Sequence, residues 1–324
     1  MMEKETHIYQ HYIPECYLKN FTSDDKSLFV YRKGNNGKVL PQSISNIAGK
    51  KRFYDVDDKF LLEEFKGKNK FIETEAFANS FEPILNDVLQ KIIKLCKNWD
   101  KKNIYKKVLN KVDRDYFAEL IAIQHIRHPN FIENHWNLHK DIYSKRIDII
   151  SSFLSMANPQ FKNSNEPNLE FDEKYSSALH SNFILDDKWR RDIQEQLVKK
   201  TWIFYYTPDN VLTSDNPLLL KPHLKQKLSL YSDFWEEGVE IIFPISKNLI
   251  LTILDEEYFS EQKDLHNTIQ FLNDKKLREY NFYQYCFSNF EIYLESNDFE
   301  IIKRFVELNN GMDYFSNKPR TKVY

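Results

Sequence analysis

A chain of 324 residues with 41% hydrophobic side chains holds enough apolar material for one large domain or two smaller ones, which excludes a disordered polymer. A formal net charge of -2 and a pI near 6.5 exclude the broad basic field that drives tight nonspecific nucleic-acid binding, so any such contact needs a local patch. Three scattered cysteines, Cys16, Cys96 and Cys286, exclude a zinc knuckle and a disulfide framework, and no apolar run is long enough to span a bilayer.

The start, MMEKETHIYQ, carries no signal-peptide apolar region, so the expectation is a soluble protein of a reducing cytoplasm. In QHYIPECYLKNF, Pro14 suits a first helical turn, and Tyr17, Leu18 and Phe21 follow at helical spacing. A short helix is expected just after His11. That places His11 near the helix's positive end, where a neutral imidazole is favoured, either as a base or as a structural hydrogen-bond partner. Residues 28–32 and 38–40, separated by Gly34-Asn35-Asn36-Gly37, form an expected hairpin.

From residue 60 to 95 the pattern is helical, with Leu85, Val88, Leu89, Ile92, Ile93 and Cys96 on one face and a break or kink at Pro83. Glu75 shares a helical stripe with Phe71 and Ala78, and a carboxylate there needs a partner. Glu64-Phe65-Lys66 after Asp55 mimics part of a nuclease signature but reads as helix, not as the strand pair such metal sites use. The most basic segment runs through Lys91, Lys94, Lys97, Lys101, Lys102, Lys106, Lys107 and Lys111, with Trp99 and Tyr105 interleaved. It is the best local candidate for a phosphate-contacting surface led by Lys101, Lys102, Lys106 and Lys107, with a solvated helix face the more common explanation for lysines at this density.

Asp113 reads as the N-cap of a helix ending near His128, before Pro129. Phe117, Leu120, Gln124 and Arg127 fall in line on it, so an amide and a guanidinium lie on an inward apolar face. A buried Arg needs an anion, expected from Glu75, Asp215 or a ligand phosphate. Arg127 and His135 are too far apart, with Pro129 between them, for an RNase-type pair. Residues 155–174, rich in Asn, Ser and Pro, form a loop that divides possible subdomains 1–154 and 175–324 within a single α+β domain.

In WIFYYTPDNVLTSDNPLLL, residues 202–207 and 211–213 read as paired strands around Pro208-Asp209-Asn210. Ser214, Asp215 and Asn216 at the strand end fit either a water- or substrate-positioning group or a closed Asx-turn. Residues 240–244 and 249–254 add strands to a mainly antiparallel sheet, expected to pack on the helices of residues 60–150. Residues 265–280 read as helix, and a last helix over 298–308 is closed by Gly311.

The segments HYIPECYLKNF at 11–21, the Glu73/Glu75 helix, IAIQHIRHP at 121–129, LTSDNP at 212–217 and FPIS at 243–246 together resemble a bacterial family. That family is catalogued as a domain of unknown function with an N-terminal His-Tyr-x-Pro signature. The resemblance implies a role in antiviral defence, with removal of modified bases from phage DNA as one expected activity. The residue inventory leans the same way. N-glycosidic cleavage needs a carboxylate or amide to place water, a donor for the departing base, and aromatics to stack it. The catalytic set expected is Asp215, Asn216, His11, Glu75, Arg127 and Gln124 converging on one pocket, with Tyr12, Ser214, Tyr205 and Tyr206 binding substrate. Neither a metal-ligand cluster nor a Gly-rich phosphate loop is recognisable, so no cofactor is expected, and the partner expected is nucleic acid, DNA before RNA. A metal-dependent nuclease and a non-catalytic sensor are the alternatives.

Overall fold

The computed structural model describes residues 9–24, 26–34, 38–67, 72–97, 107–157, 172, 174–224 and 234–313. The fold is α+β, as expected, with helices packed on mainly antiparallel sheets.

Strand β1 (Tyr9–His11) leads through Pro14 into the one-turn helix α1 (Glu15–Leu18). His11 therefore closes a strand and does not open a helix. The hairpin of β2 (Ser27–Arg32) and β3 (Val39–Ser43) forms as expected, and β4 (Gly49–Lys51) returns antiparallel to β1. Beyond two short 3-10 turns, Asp58–Phe60 and Glu63–Phe65, the segment Ile72–Phe81 is π-helical. It gives way to α2 (Glu82–Lys97) beside Pro83, and α2 buries Leu85, Leu89, Ile92, Ile93 and Cys96. Helix α3 (Lys111–Ile126) is capped by Asn110, whose side chain accepts from Asp113 N, so Asp113 is the third residue and not the cap. Helix α4 (Pro129–Ala157) runs into the stretch expected to be a loop, and α5 (Lys174–Leu185) and α6 (Asp187–Lys199) complete the helical layer.

Strand β5 (Thr201–Tyr206) does not pair with residues 211–213. Those residues feed β6 (Thr213–Ser214), which joins a different sheet of order β3-β2-β11-β6. The turn chemistry at Pro208-Asp209-Asn210 is real, but it carries the chain between sheets. Strands β7 (Leu219–Pro222), β8 (Val239–Ser246) and β9 (Leu249–Leu254) join β5 in the five-stranded sheet of order β10-β5-β9-β8-β7. Its edge, β10 (Thr268–Phe271), pairs parallel to β5 and falls inside the span expected to be helix; α7 (Asp274–Phe287) starts only after the Asn273 cap. Strand β11 (Glu291–Leu294) pairs with both β2 and β6, and α8 (Glu300–Leu308) is capped by Asn309, not by Gly311; Asn310 at φ +59° and Gly311 at φ +77° follow the cap in left-handed conformation.

The central strands are apolar on both faces because both are covered. Trp202 and Phe204 of β5, with Ile241 and Phe243 of β8, face the large core formed with α2, α3 and α6. Ile203, Tyr205, Ile242 and Ile250 face a second core closed by Leu277 and Tyr280 of α7. No described helix is long and apolar enough to cross a membrane.

The helical layer buries His180 at 3% exposure, with Nε2 donating to the Ile126 carbonyl at 2.8 Å. Burial lowers its pKa from 6.5 to about 4. A histidine whose folded pKa lies below its unfolded value takes up its proton preferentially when unfolded, so stability is lost as pH falls from 6.5 towards 4. At pH 5 the His180→Gln variant is expected to lose about 2 kcal/mol less than the wild type relative to pH 7, in urea unfolding at the two pH values.

Candidate active site

The corner between α3 and α4 organises the site. Arg127 caps α3 in helical conformation and Pro129 starts α4, so two consecutive side chains, Arg127 and His128, leave this corner toward different neighbours.

Arg127 is fully buried. Its Nη1 donates to Glu82 Oε1 at 3.2 Å, Nη2 to the His11 carbonyl, and Nε to the Tyr54 hydroxyl at 3.4 Å. The guanidinium lies over the Phe77 ring, 4.1 Å from its centroid. One turn earlier, Gln124 Nε2 donates to the Tyr12 carbonyl at 2.9 Å. Arg127 and Gln124 thus grip the consecutive carbonyls of His11 and Tyr12 and fix the strand-to-helix connection. The inward stripe read from the sequence has this purpose, and the anion beside Arg127 is Glu82, not Glu75 or Asp215.

Glu73 stands at the same spot. Its Oε1 accepts the His11 backbone N–H at 3.4 Å, whereas Oε2 is buried without a hydrogen-bond partner. Burial raises the Glu73 pKa to about 7; the Arg127 charge opposes this shift and the Glu82 charge adds to it. His11 Nε2 is likewise buried without a hydrogen-bond partner, with Glu15 Oε1 3.8 Å away. Burial lowers the His11 pKa, against the pull of Glu15 and Glu82, so its imidazole is neutral at pH 7. The cluster opens to solvent through Glu15 and Glu82, whose side chains are 39% and 22% exposed.

Glu75 is exposed and does not join this cluster. In the π-helix that forms, Glu73, Phe77 and Phe81 are the residues that gather on Arg127, and their even four-residue spacing is the signal in the sequence for Glu73. Glu82 and Tyr54 carried no such signal.

The Ser214-Asp215-Asn216 cluster faces elsewhere. Asp215 is 3% exposed and its carboxylate accepts three backbone N–H bonds, from Asn289 and Phe290 at 2.7 Å and from Glu291 at 3.0 Å. Burial still raises its pKa to about 6, with those three bonds opposing. His128 Nδ1 accepts from Asn130 N, which leaves Nε2–H to donate to the Asp215 carbonyl at 2.6 Å. Ser214 Oγ accepts from Asn216 N at 3.1 Å and lies 2.9 Å from Gln284 Oε1, and Asn216 Nδ2 donates to the Phe287 carbonyl at 3.0 Å. This is the closed-turn alternative: the carboxylate expected to position water anchors the loop before β11.

Tyr12 is buried between Phe53 and His128, in edge contact with both rings, and borders both clusters. Tyr205 lies on the second core with its hydroxyl bound by Lys276 Nζ at 2.9 Å, and Tyr206 packs against the large core, so neither joins His11. Lys101, Lys102 and Lys106 lie outside the described residues, and Lys107 Nζ donates to the His266 carbonyl at 2.6 Å. Among the described residues, no group of three or more His, Cys, Asp or Glu side chains has the geometry to hold a metal ion.

A family model described as "Protein of unknown function (DUF4238)" matches residues 9–298, from β1 to the turn before α8. No curated protein and no solved structure matches the chain.

Proposed function

The chain belongs to the DUF4238 family, and from that premise we propose that it is a hydrolase acting on nucleic acid in antiviral defence, cleaving the N-glycosidic bond of a modified base in phage DNA. Its site of action would be the bacterial cytoplasm. The observation that carries this reading is the pair of buried, unpartnered polar atoms, His11 Nε2 and Glu73 Oε2, in one half-open cluster beside an Arg–carboxylate pair. Buried polar atoms normally have partners, and two orphans on groups that both feel the Arg127 and Glu82 charges fit a site whose partner is the substrate.

The chemistry follows from the protonation each environment favours. Neutral His11 accepts a proton from water as the water oxygen bonds to the sugar C1′. Glu73, near half-protonated at neutral pH, gives its proton to the departing base nitrogen as the C1′–N bond breaks. The Glu82 carboxylate, held by Arg127, would offset the positive charge that develops on the sugar. Each proton and electron pair is accounted for within these residues, water and substrate.

The test incubates the protein with modified and unmodified phage DNA in EDTA and looks for abasic sites and free base. Both products, from modified DNA and with the chelator present, are the expected result. Strand breaks that require added metal support the nuclease alternative, and binding without either product supports a sensor.

A further inference from the structure

Helix α4 outruns the layer it belongs to. Its buried side chains, Phe131, Ile132, His135 and Leu138, all fall in the first ten residues, where Phe183 of α5 packs against the Phe131 and His135 rings. From Asp141 to Ala157 no residue is buried, so about 25 Å of helix extends past that contact.

This half of the helix is amphipathic. Tyr143, Ile147, Ile150, Leu154 and Ala157 recur at spacings of four, three, four and three, the seam of a helix that packs lengthwise on another helix. Ile149, Phe153 and Met156 widen the stripe on one side, and Ser144, Asp148, Ser152 and Ser155 lie on the opposite face. Tyr143, Ile149, Ile150, Phe153, Leu154 and Met156 are between 44% and 81% exposed. Apolar side chains scattered singly over a surface are ordinary, whereas six along one stripe form a contiguous patch of the kind that marks an interface.

The size and pattern of the stripe select a second copy as its cover. At roughly 150–200 Å² for each residue the six expose about 600 Å², so two copies covering each other bury about 1,200 Å², the lower end of what a stable specific interface needs. The chain's own continuation is a poorer match, since residues 158–171, which lie outside the described residues, hold only three large apolar side chains, Phe161, Leu169 and Phe171. A membrane surface is a poorer match as well, because Lys140, Lys145 and Arg146 are set against Asp141 and Asp148 and no strongly basic face borders the stripe. The stripe is also complementary to itself. In an antiparallel pair about a two-fold axis, the register that sets Ile147 against Ile150 also sets Tyr143 against Leu154. Arg146 then lies level with Ser151 and Lys145 with Ser152, so apolar meets apolar and no like charges meet.

We propose that the exposed half of α4 is a homodimer interface, in which two copies of this helix pack antiparallel along the seam from Tyr143 to Ala157. The dimer neither requires the glycosylase chemistry nor follows from it.

The test is the mass of the full chain in solution, by sedimentation equilibrium across a concentration series. Wild type should reach twice the chain mass of 39.1 kDa. Ile150→Glu/Leu154→Glu should weaken dimerisation by about a hundredfold or more, because the pairing would then bury carboxylates without partners. Its helix content by circular dichroism should not change, since both positions face solvent in the single chain. Ser144→Glu/Ser152→Glu, on the opposite face, should leave the dimer mass intact. Tyr143→Cys/Leu154→Cys should oxidise to a disulfide-linked dimer, and neither single variant should, because equal positions lie about 16 Å apart along an antiparallel pair. A monomeric wild type, a dimer that Ile150→Glu/Leu154→Glu leaves intact, or linkage in the single cysteine variants overturns the proposal. So does a monomer that binds phosphatidylserine vesicles and loses that binding in Ile150→Glu/Leu154→Glu.

Discussion

Asp215→Ala is expected to cost about 3–5 kcal/mol of stability, the size of effect reserved for breaking a buried network. The substitution strands three backbone N–H groups, of Asn289, Phe290 and Glu291, in a site from which water is excluded. Each orphaned donor costs about 1–3 kcal/mol, less than additively because the loop can relax. Asp215→Asn should be milder. Its amide oxygen still accepts, and a neutral group escapes the burial penalty that raises the Asp215 pKa to about 6. The sign of that shift adds a check. A carboxyl with a raised folded pKa contributes stability that is complete below its unfolded value of 3.8 and disappears as pH rises through about 6. Wild type should therefore gain on Asp215→Asn as pH falls from 6 to 4. Urea unfolding with both variants measures this. A loss below 1 kcal/mol for Asp215→Ala, together with abolished base release, would return Asp215 to the reaction centre.

The second large effect is on rate. Glu73→Gln is expected to slow base release by about 10²–10⁴-fold, the usual contribution of a positioned general acid. Gln keeps the shape and can still accept the His11 N–H bond. It has no proton to give. Because burial works against the charged form of Glu73, a neutral amide there should hold or raise the melting temperature above pH 7. Lost activity in a protein at least as stable as the parent separates a chemical role from a structural one. Equal loss of both would make Glu73 a packing residue.

Much of this fold could be read from pattern. The β2–β3 hairpin, the α2 face, and the inward Gln124 and Arg127 all follow from local periodicity or turn chemistry, which tertiary contacts left undisturbed. Pairing could not be read. Residues 202–207 and 211–213 look like a hairpin because short range favours one, yet β6 finds β11, which lies far along the chain. The candidate site divides in the same way. Arg127 is legible from its stripe, whereas His11, expected at the head of a helix, closes strand β1. Glu75 lies on a stripe with Phe71 and Ala78, but the stripe that faces Arg127 is the one through Glu73, Phe77 and Phe81, and which of the two faces inward is decided by packing against Arg127. Asp215 drew attention because a carboxylate beside an amide at a strand end fits both a catalytic group and a turn. Which one it is depends on the backbone of residues 289–291, which no pattern near Asp215 announces.

The central claim, that Glu73 donates the proton and neutral His11 receives one, is tested most directly by the rate of base release as a function of pH for wild type and Glu73→Gln. With the Glu73 pKa at about 7 and that of His11 lowered, the wild-type rate should hold level through slightly acidic pH. Above pH 7 it should fall tenfold per unit as Glu73 loses its proton, and the residual Glu73→Gln rate should lack that fall. A wild-type rate that stays level or climbs from pH 7 to 9 would contradict the account.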